Sequence, residues 1–343
     1  MIAPKVAVVI LNWNGKVFLE EFLTYVIQYC PEYARVYIAD NASTDDSLLF
    51  LTTHFPEVSI ISLKENYGYT GGYNRALRQI EAEYYVLLNS DIKVTENWIG
   101  PIISLMDTHR EVAACQPKIL SYHATEYFEY AGAAGGFIDF LGYPFCRGRV
   151  FHHLEKDIGQ YDDRIEVFWA TGACMFLRAK DFWDAGGLDD DFFAHMEEID
   201  LCWRLKRIGN KIMCCPDSKV YHVGGGTLPN NSPRKTFFNF RNNLLLLAKN
   251  LPPSLFYPVL LMRFLLDQFA SVKFLLNGQG KDFIAVHRAW YYAIKSIRVK
   301  RRQGHKLGYN KVTCIYGKSI VLMFYLLKKR KFNHLRPSDF SCY

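Results

Sequence analysis

"LLNSDI", residues 87–92, sets an apolar run directly against Asn89, Ser90 and Asp91. Asn, Ser and Asp bond their own backbone and commonly close strands, so one reading is a turn. The other places Asp91 at the C-terminal edge of a strand, where open α/β sheets bind ligands, with its carboxylate on a metal ion or a phosphate. The flanking sequence has to decide between them.

From Val6 to about Val223, short β-branched runs alternate with helical stretches: "VAVVIL" (6–11), "RVYIAD" (35–40), "VSIISL" (58–63) and "YYVLLN" (84–89). Such alternation predicts βαβ units, hence an α/β fold with a mostly parallel sheet flanked by helices. Each run ends in small or polar residues, "NWNG", "DNASTDD", "KENYGYTGG" and "NSD". The strand ends therefore form a polar rim, the usual binding edge of these sheets.

A chain of 343 residues that is 50% hydrophobic can bury a sizeable core. Its net charge of +7 is modest for this length and speaks against a dedicated nucleic-acid binder. Nine cysteines, an odd number without metal-ligand spacing, predict reduced thiols rather than a disulfide frame, with Cys214 and Cys215 packed in a strand. The opening "MIAPKVAVVILNWNG" is too short an apolar stretch for a secretory signal, so the expected location is cytoplasmic.

Composition changes after "YHVGGGTLPNNSP" (221–233), which predicts a catalytic domain over 1–230 and a C-terminal helical region over 231–343. Within the latter, "LFYPVLLMRFLLDQFASVKFLL" (255–276) is long enough to span a bilayer, yet Arg263, Asp267 and Lys273 interrupt it and Pro258 breaks its start. Arg263, Asp267 and Ser271 share a face at four-residue spacing, as in an amphipathic helix lying on a surface. The basic clusters "IKSIRVKRR" (294–302) and "KKRK" (328–331) would be drawn to an anionic membrane at about 1 kcal/mol per residue. The competing reading is a helical subdomain with solvated charges.

Asp40 ends the second run, where its carboxylate can accept the ring N–H of a uracil or thymine, or close an Asx turn. "ENYGYTGGYNRAL" (65–77) is a glycine-rich loop entering a helix; Gly71 and Gly72 allow close backbone approach and the helix N-terminus favours phosphate. It has the order of neither a P-loop nor a dinucleotide fingerprint. In "FFAHMEEIDLCWR" (192–204), Glu197, Glu198 and Asp200 either start a helix electrostatically or include a general base whose pKa crowding and burial raise. His222 ends a further strand beside flexible glycines, a structural histidine or a ligand.

In this order, "VAVVILNWNG", "NASTDDS", "NYGYTGGYN", "LLNSDI", "WATGACMFLRAKDFWDAGGLDDDFF", "EEIDLCWR" and "VYHVGG" resemble glycosyltransferase family 2, inverting enzymes of the GT-A (Rossmann-like) fold, and its rhamnosyltransferase-like branch. The resemblance covers about two-thirds of the chain. It implies that Asp40 reads the nucleotide base, with Asn12 and Asn66 lining the nucleotide pocket. "NSD" resembles the family's DXD element, so Asp91 would bind magnesium or manganese bridging the donor's diphosphate, with His222 as the second protein ligand. Glu198 falls at the catalytic base, with Glu197 as the alternative, and Trp169, Gly172 and Ala173 match the segment near donor sugar and acceptor. Two positions depart from the pattern: Asn89 replaces the first acid of DXD, and Glu198 stands where the family usually has Asp.

The expected reaction is a single displacement in which a general base takes the acceptor's proton and a metal neutralises the leaving diphosphate. The expected donor is dTDP-rhamnose, then UDP-hexose or UDP-galactofuranose. The expected acceptor is a glycan, lipid-linked, on the inner face of the plasma membrane, in surface polysaccharide synthesis. Asn89 and Glu198 keep open an alternative: a catalytically inactive nucleotide-sugar-binding scaffold in a glycan assembly complex.

Overall fold

The computed structural model describes residues 3–224, 232–306, 308 and 311–341. The chain begins β1 (Val6–Asn12), α1 (Lys16–Gln28), β2 (Ala34–Asp40), α2 (Ser47–His54), β3 (Ser59–Ser62), α3 (Gly68–Leu77), β4 (Tyr84–Leu88), β5 (Ile92–Val94), α4 (Gly100–Thr108) and β6 (Val112–Ser121). Short strands follow: β7 (Gly136–Asp139), β8 (Pro144–Cys146), β9 (Arg149–Val150), β10 (His153–Leu154) and β11 (Ile165–Val167). Next come β12 (Cys174–Arg178), α5 (Ala179–Asp184), α6 (Glu197–Arg207) and β13 (Lys211–His222). Beyond residue 231 lie α7 (Pro233–Asn250), α8 (Pro253–Leu276), α9 (Gly280–His305), β14 (Ile315–Tyr316), α10 (Ile320–Tyr325) and β15 (Phe340–Ser341).

The large sheet is mixed, in the order β11-β13-β6-β12-β4-β1-β2-β3, with β5 paired to β13. β3, β2, β1 and β4 run parallel, as do β6 and β13. The expected α/β sheet flanked by helices is the one observed. β12 lies antiparallel between β4 and β6, because the chain reaches it through the short strands rather than through a crossover helix.

Both faces of the sheet are covered, which is why its strands read as continuous apolar runs. Val6, Val8 and Ile10 pack with Leu19 and Leu23 of α1 and Ile102 and Met106 of α4. Ala7 and Val9 point the other way, towards the core holding Tyr73, Phe182 and Trp203. Pairing then makes the strand exits level: Asn12 is opposite Asp40, Ile10 opposite Leu88, and His222 opposite Ile92, the residue after Asp91. Register alone brings the polar ends of β1, β2, β4 and β13 to one edge.

The second sheet runs β10-β9-β8-β7-β14-β15, so strands from residues 136–154 and 315–341 form one layer. The boundary expected at 230/231 lies outside the described residues, and residues on both sides of it share one core. Cys214 and Cys215 are buried in β13 as expected, and the cysteines among the described residues are free thiols.

α8 runs through Pro258 instead of breaking there. The missing N–H falls in the exposed N-terminal part of the helix, where water can take the freed carbonyl. Arg263, Asp267 and Ser271 do share a face, and that face is turned inward. Arg263 donates to Asp267, to the Leu141 carbonyl at 3.1 Å and to Asn243, while Tyr143 Oη and Trp290 Nε1 donate to Asp267 at 3.2 and 3.0 Å. A buried ion pair with this many partners tolerates its loss of water. Among the described residues no helix is long and apolar enough to cross a membrane.

Candidate active site

On the β1–β3 side, asparagines tie the strand-end loops together, since a short amide arm both donates and accepts. Asn12 Nδ2 donates to Asp40 Oδ1 at 3.2 Å and to Ser43 Oγ at 3.1 Å; Ser43 N donates to Asp40 Oδ2 at 3.1 Å. Asp40 thus makes the local turn bond foreseen for it while staying beside Asn12. Asn12 Oδ1 is buried without a partner. Asn41, which the sequence reading passed over, donates to Asn66 Oδ1 at 3.0 Å and accepts from Tyr67 N at 3.0 Å; Asn66 Oδ1 also accepts from Gly68 N at 2.9 Å. Asn12, Asp40 and Asn66 therefore belong to one bonded loop cluster.

Gly71 and Gly72 are not in a loop. α3 already begins at Gly68, and both glycines are buried inside it. A Cβ on Gly72 would stand 2.7 Å from Leu11 Cδ1, and one on Gly71 2.9 Å from Tyr67 Cβ. What they allow is close packing of α3 on its neighbours.

The "NSD" residues make the turn between β4 and β5, and Asp91 ends that turn just before β5. Asn89 N donates to Ala173 O at 2.9 Å, and Tyr69 Oη to Gly172 O at 2.7 Å. Gly172 and Ala173 are thereby brought to the turn. Trp169 is not: its ring covers Gly136 and its Nε1 donates to Phe137 O at 2.9 Å, inside the core.

His222 Nε2 lies 3.2 Å from Asp91 Oδ1, and His222 Nδ1 lies 3.1 Å from Glu129 Oε2. Burial opposes the charge on this imidazole, but its bonds to Asp91 and Glu129 outweigh that and raise its pKa to about 10. Burial likewise works against the Asp91 carboxylate, while His222 holds its pKa low. With its pKa raised, the ring carries a proton on the nitrogen that faces Asp91, so His222 would have to give up that proton before Nε2 could join Asp91 Oδ1 on a cation. One oxygen and one nitrogen fit a hard cation completed by phosphate oxygens and water better than a cage of protein ligands. Among the described residues no group of three or more His, Cys, Asp or Glu side chains is arranged to hold a metal ion. Glu129 stands on the far side of the ring, where it fixes which nitrogen faces Asp91. No local pattern around "YFEYAG" marks it.

α6 opens with Glu197 and Glu198. Burial pushes the Glu198 carboxyl up to about 7, partly offset by the amides of Met196, Glu198 and Ile199. Burial, then the charge of Glu198, drives Glu197 well above the usual carboxylate range. One oxygen of each, Oε2, is buried without a hydrogen-bond partner. Asp200 differs: it meets Arg204 at 2.8 Å, Lys249 at 2.9 Å and Asn250 at 2.8 Å, which keep it ionised. Its role is to join α6 to α7, and it is not the base. Glu197 and Glu198 raise the pKa of Tyr69, after burial and Tyr73, so they stand near the ring whose hydroxyl holds Gly172. The acids and the "NSD" turn are thus linked through Tyr69, Gly172 and Ala173.

The turn before α6 is strained, with positive φ at Phe193, His195 and Met196. Asn242 of α7 holds it by donating to the carbonyls of Phe192, Ala194 and His195 at 3.0, 2.8 and 2.7 Å. Two asparagines ahead of a leucine run in "FNFRNNLLLL" were a visible sign that a buried polar contact was needed. Asn242→Ala should lower kcat by about 10- to 100-fold through misplacement of Glu198. Steady-state kinetics beside thermal unfolding checks this; a fall in Tm with unchanged kcat would remove the positioning role.

Residues 7–186 match the family model described as glycosyl transferase family 2. The chain is 24% identical over 230 residues to N-acetylglucosaminyl-diphospho-decaprenol L-rhamnosyltransferase of Mycobacterium tuberculosis, covering 63% of this chain and 75% of that one. It is 26% identical over 200 residues to rhamnosyltransferase WbbL of Escherichia coli, covering 56% and 73%. Among solved structures, S. aureus TarS 1–349 in complex with UDP-GlcNAc matches with a TM-score of 0.54 at 15% identity, covering 89% of this chain and 92% of that one. GalNAc-T7 with UDP, GalNAc and Mn2+ matches with a TM-score of 0.56 at 15% identity, covering 72% of this chain and 48% of that one. At such identities the structural matches speak for the fold.

Proposed function

Because the chain belongs to glycosyltransferase family 2, we propose that it moves a sugar, with inversion, from a nucleotide-diphosphate donor to a lipid-linked glycan acceptor. The observation that carries this reading is the linkage of three functions along one sheet edge. Asn12 bonds Asp40 where β1 and β2 end, Asp91 and His222 lie side by side, and Glu198 at the start of α6 keeps one buried oxygen without a hydrogen-bond partner. A divalent cation, magnesium or manganese, held by Asp91 and His222 would neutralise the charge growing on the departing diphosphate.

The chain's own part is proton transfer and orientation. As the acceptor oxygen bonds to the anomeric carbon, its proton passes to Glu198, and the bond from that carbon to the diphosphate oxygen breaks. Burial and the charge of Glu198 favour the protonated form of Glu197, which can donate a hydrogen bond and stands as the alternative base. Tyr69 and Asn242 keep the turn before α6 in place.

Two relatives named for rhamnosyl transfer support dTDP-rhamnose as the donor, ahead of a UDP-hexose or UDP-galactofuranose. The decaprenol in one of those names supports a lipid-linked acceptor and hence work on the inner face of the plasma membrane, in surface polysaccharide synthesis. Exposed Lys328, Arg330 and Lys331 support an anionic membrane partner. The 294–302 cluster contributes less than its sequence suggests. Lys300 is buried on Asp189 and Asp191 at 2.6 and 2.8 Å, and Arg301 donates to main-chain carbonyls.

A thermal-shift panel of nucleotide sugars with and without manganese tests the reading. The true donor at a hundredfold over its Kd should add about 2.7 kcal/mol to stability. The largest shift is expected for dTDP-rhamnose with manganese. A larger one for a UDP sugar would change the donor, and no shift with any nucleotide sugar would overturn the reading.

A further inference from the structure

The surface made by α8 and α10 is built inside out. The charged residues Arg263 and Asp267 are buried, while the opposite face of α8 exposes Leu265, Phe269 (78%) and Leu276 (81%) to solvent. α10 and the residue after it continue the patch with Leu322 and Leu326 (70%). The two are in contact, since Lys273 Nζ of α8 lies 5.2 Å from the Tyr325 ring centroid. A water-facing helix has the reverse arrangement, and an apolar patch of this extent on a soluble chain marks an interaction site.

Charge shows what covers it. Lys273 is the exposed charge of α8, and Lys328, Arg330 and Lys331 follow directly on α10, so the apolar face is edged by cations with no exposed acid on either helix. That is the complement of hydrocarbon beneath anionic headgroups. The patch also approaches the site. Exposed Tyr130 lies close enough to Tyr325 to raise its pKa, after burial, and Tyr130 follows Glu129, the partner of His222.

We propose that the outward face of α8 and α10 enters the hydrocarbon layer of an anionic bilayer as a monotopic anchor, with the site opening beside it. This rests on the membrane reading above and deepens it: apolar insertion rather than charge holds the protein, and a lipid-linked acceptor meets Glu198 without leaving the bilayer.

The test is flotation of the full chain with phosphatidylcholine vesicles containing phosphatidylglycerol, in low salt and at about 1 M NaCl, where the Debye length is about 3 Å. The parent should stay bound at high salt. The double variant Phe269→Glu, Leu276→Glu should bind at least about 10-fold less, with its nucleotide-sugar thermal shift unchanged. Phe269→Trp should show a blue-shifted emission on the same vesicles, which keeps the test alive should the double variant misfold. Binding released entirely by salt would overturn insertion and leave the charged-surface reading. No binding in either salt would overturn both. Self-association that the double variant abolishes, without vesicle binding at high salt, would overturn insertion in favour of a second copy of the chain.

Discussion

Glu198→Gln should slow transfer by about 10²- to 10⁴-fold while leaving donor affinity nearly unchanged. Glutamine keeps the volume and the amide contacts of the side chain and removes only its ability to take a proton. The parent's own titration supplies a second readout. With the Glu198 pKa raised to about 7 by burial, the ionised base is lost as pH falls, so kcat/KM should rise through about pH 7 and level off above it. Stability moves the other way. The unfolded carboxyl ionises near its ordinary value of 4.5 and the folded one near 7, so the native state holds the extra proton between them and this group's contribution falls as pH rises across that window. The glutamine variant lacks that loss, and its Tm relative to the parent should climb from pH 4.5 to 7. Glu197→Gln is the matched control: burial and the charge of Glu198 already favour the protonated carboxyl there, so a neutral isostere should cost little rate. Exchange of the two outcomes would transfer the role of base to Glu197. If neither substitution slows transfer, the base lies elsewhere.

Asp91→Ala should abolish the manganese-dependent part of nucleotide stabilisation. Changing an outer partner of a metal ligand commonly costs about 10- to 100-fold in metal affinity, so removing a ligand should exceed the upper end of that range. The variant also leaves His222 facing Glu129 alone, one buried carboxylate fewer. Titration of manganese into protein with UDP or dTDP, by calorimetry or thermal shift, reads the effect without requiring turnover. An unchanged response in Asp91→Ala would take the residue out of the site and leave "NSD" as a turn only.

The sequence revealed most where chemistry and strand register coincide. Runs that end in Asn12, Asp40, Asn89–Asp91 and His222 can be found one at a time, and the parallel pairing of β1 with β2 and β4, with the antiparallel pairing of β5 on β13, then carries them to one edge. Residues that act from distant segments left less: the paired asparagines of "FNFRNNLLLL" signal a buried polar contact but not its partner, and Glu129 carries no sign at all. Glu129 and Asn242 reach the site through tertiary packing, and nothing in their own neighbourhoods marks them as neighbours of His222 or of the turn before α6. Trp169, Gly71 and Gly72 show the converse, since aromatic and glycine residues near a motif are equally what close packing requires, and packing is what the structure gives them. In α8, spacing correctly groups Arg263, Asp267 and Ser271. Periodicity defines a face but not its direction, and only the buried partners Asn243, Tyr143 and Trp290 reveal that it points inward.

The pairing of β14 with β7 has a consequence for how this chain can change. Its last strands are laid on a layer begun nearly two hundred residues earlier, and Asn242 and Asn250 bond directly to the segment that carries the acids. The part that would be expected to adapt most readily to a new lipid or acceptor is therefore fastened to the part that does the chemistry. Such a chain cannot exchange its C-terminal region by simple recombination. A replacement tail would also have to bring a strand that fits β7 and an amide that fits the turn at 192–195, so variation is confined to the outward surface of helices whose inward surface is already committed.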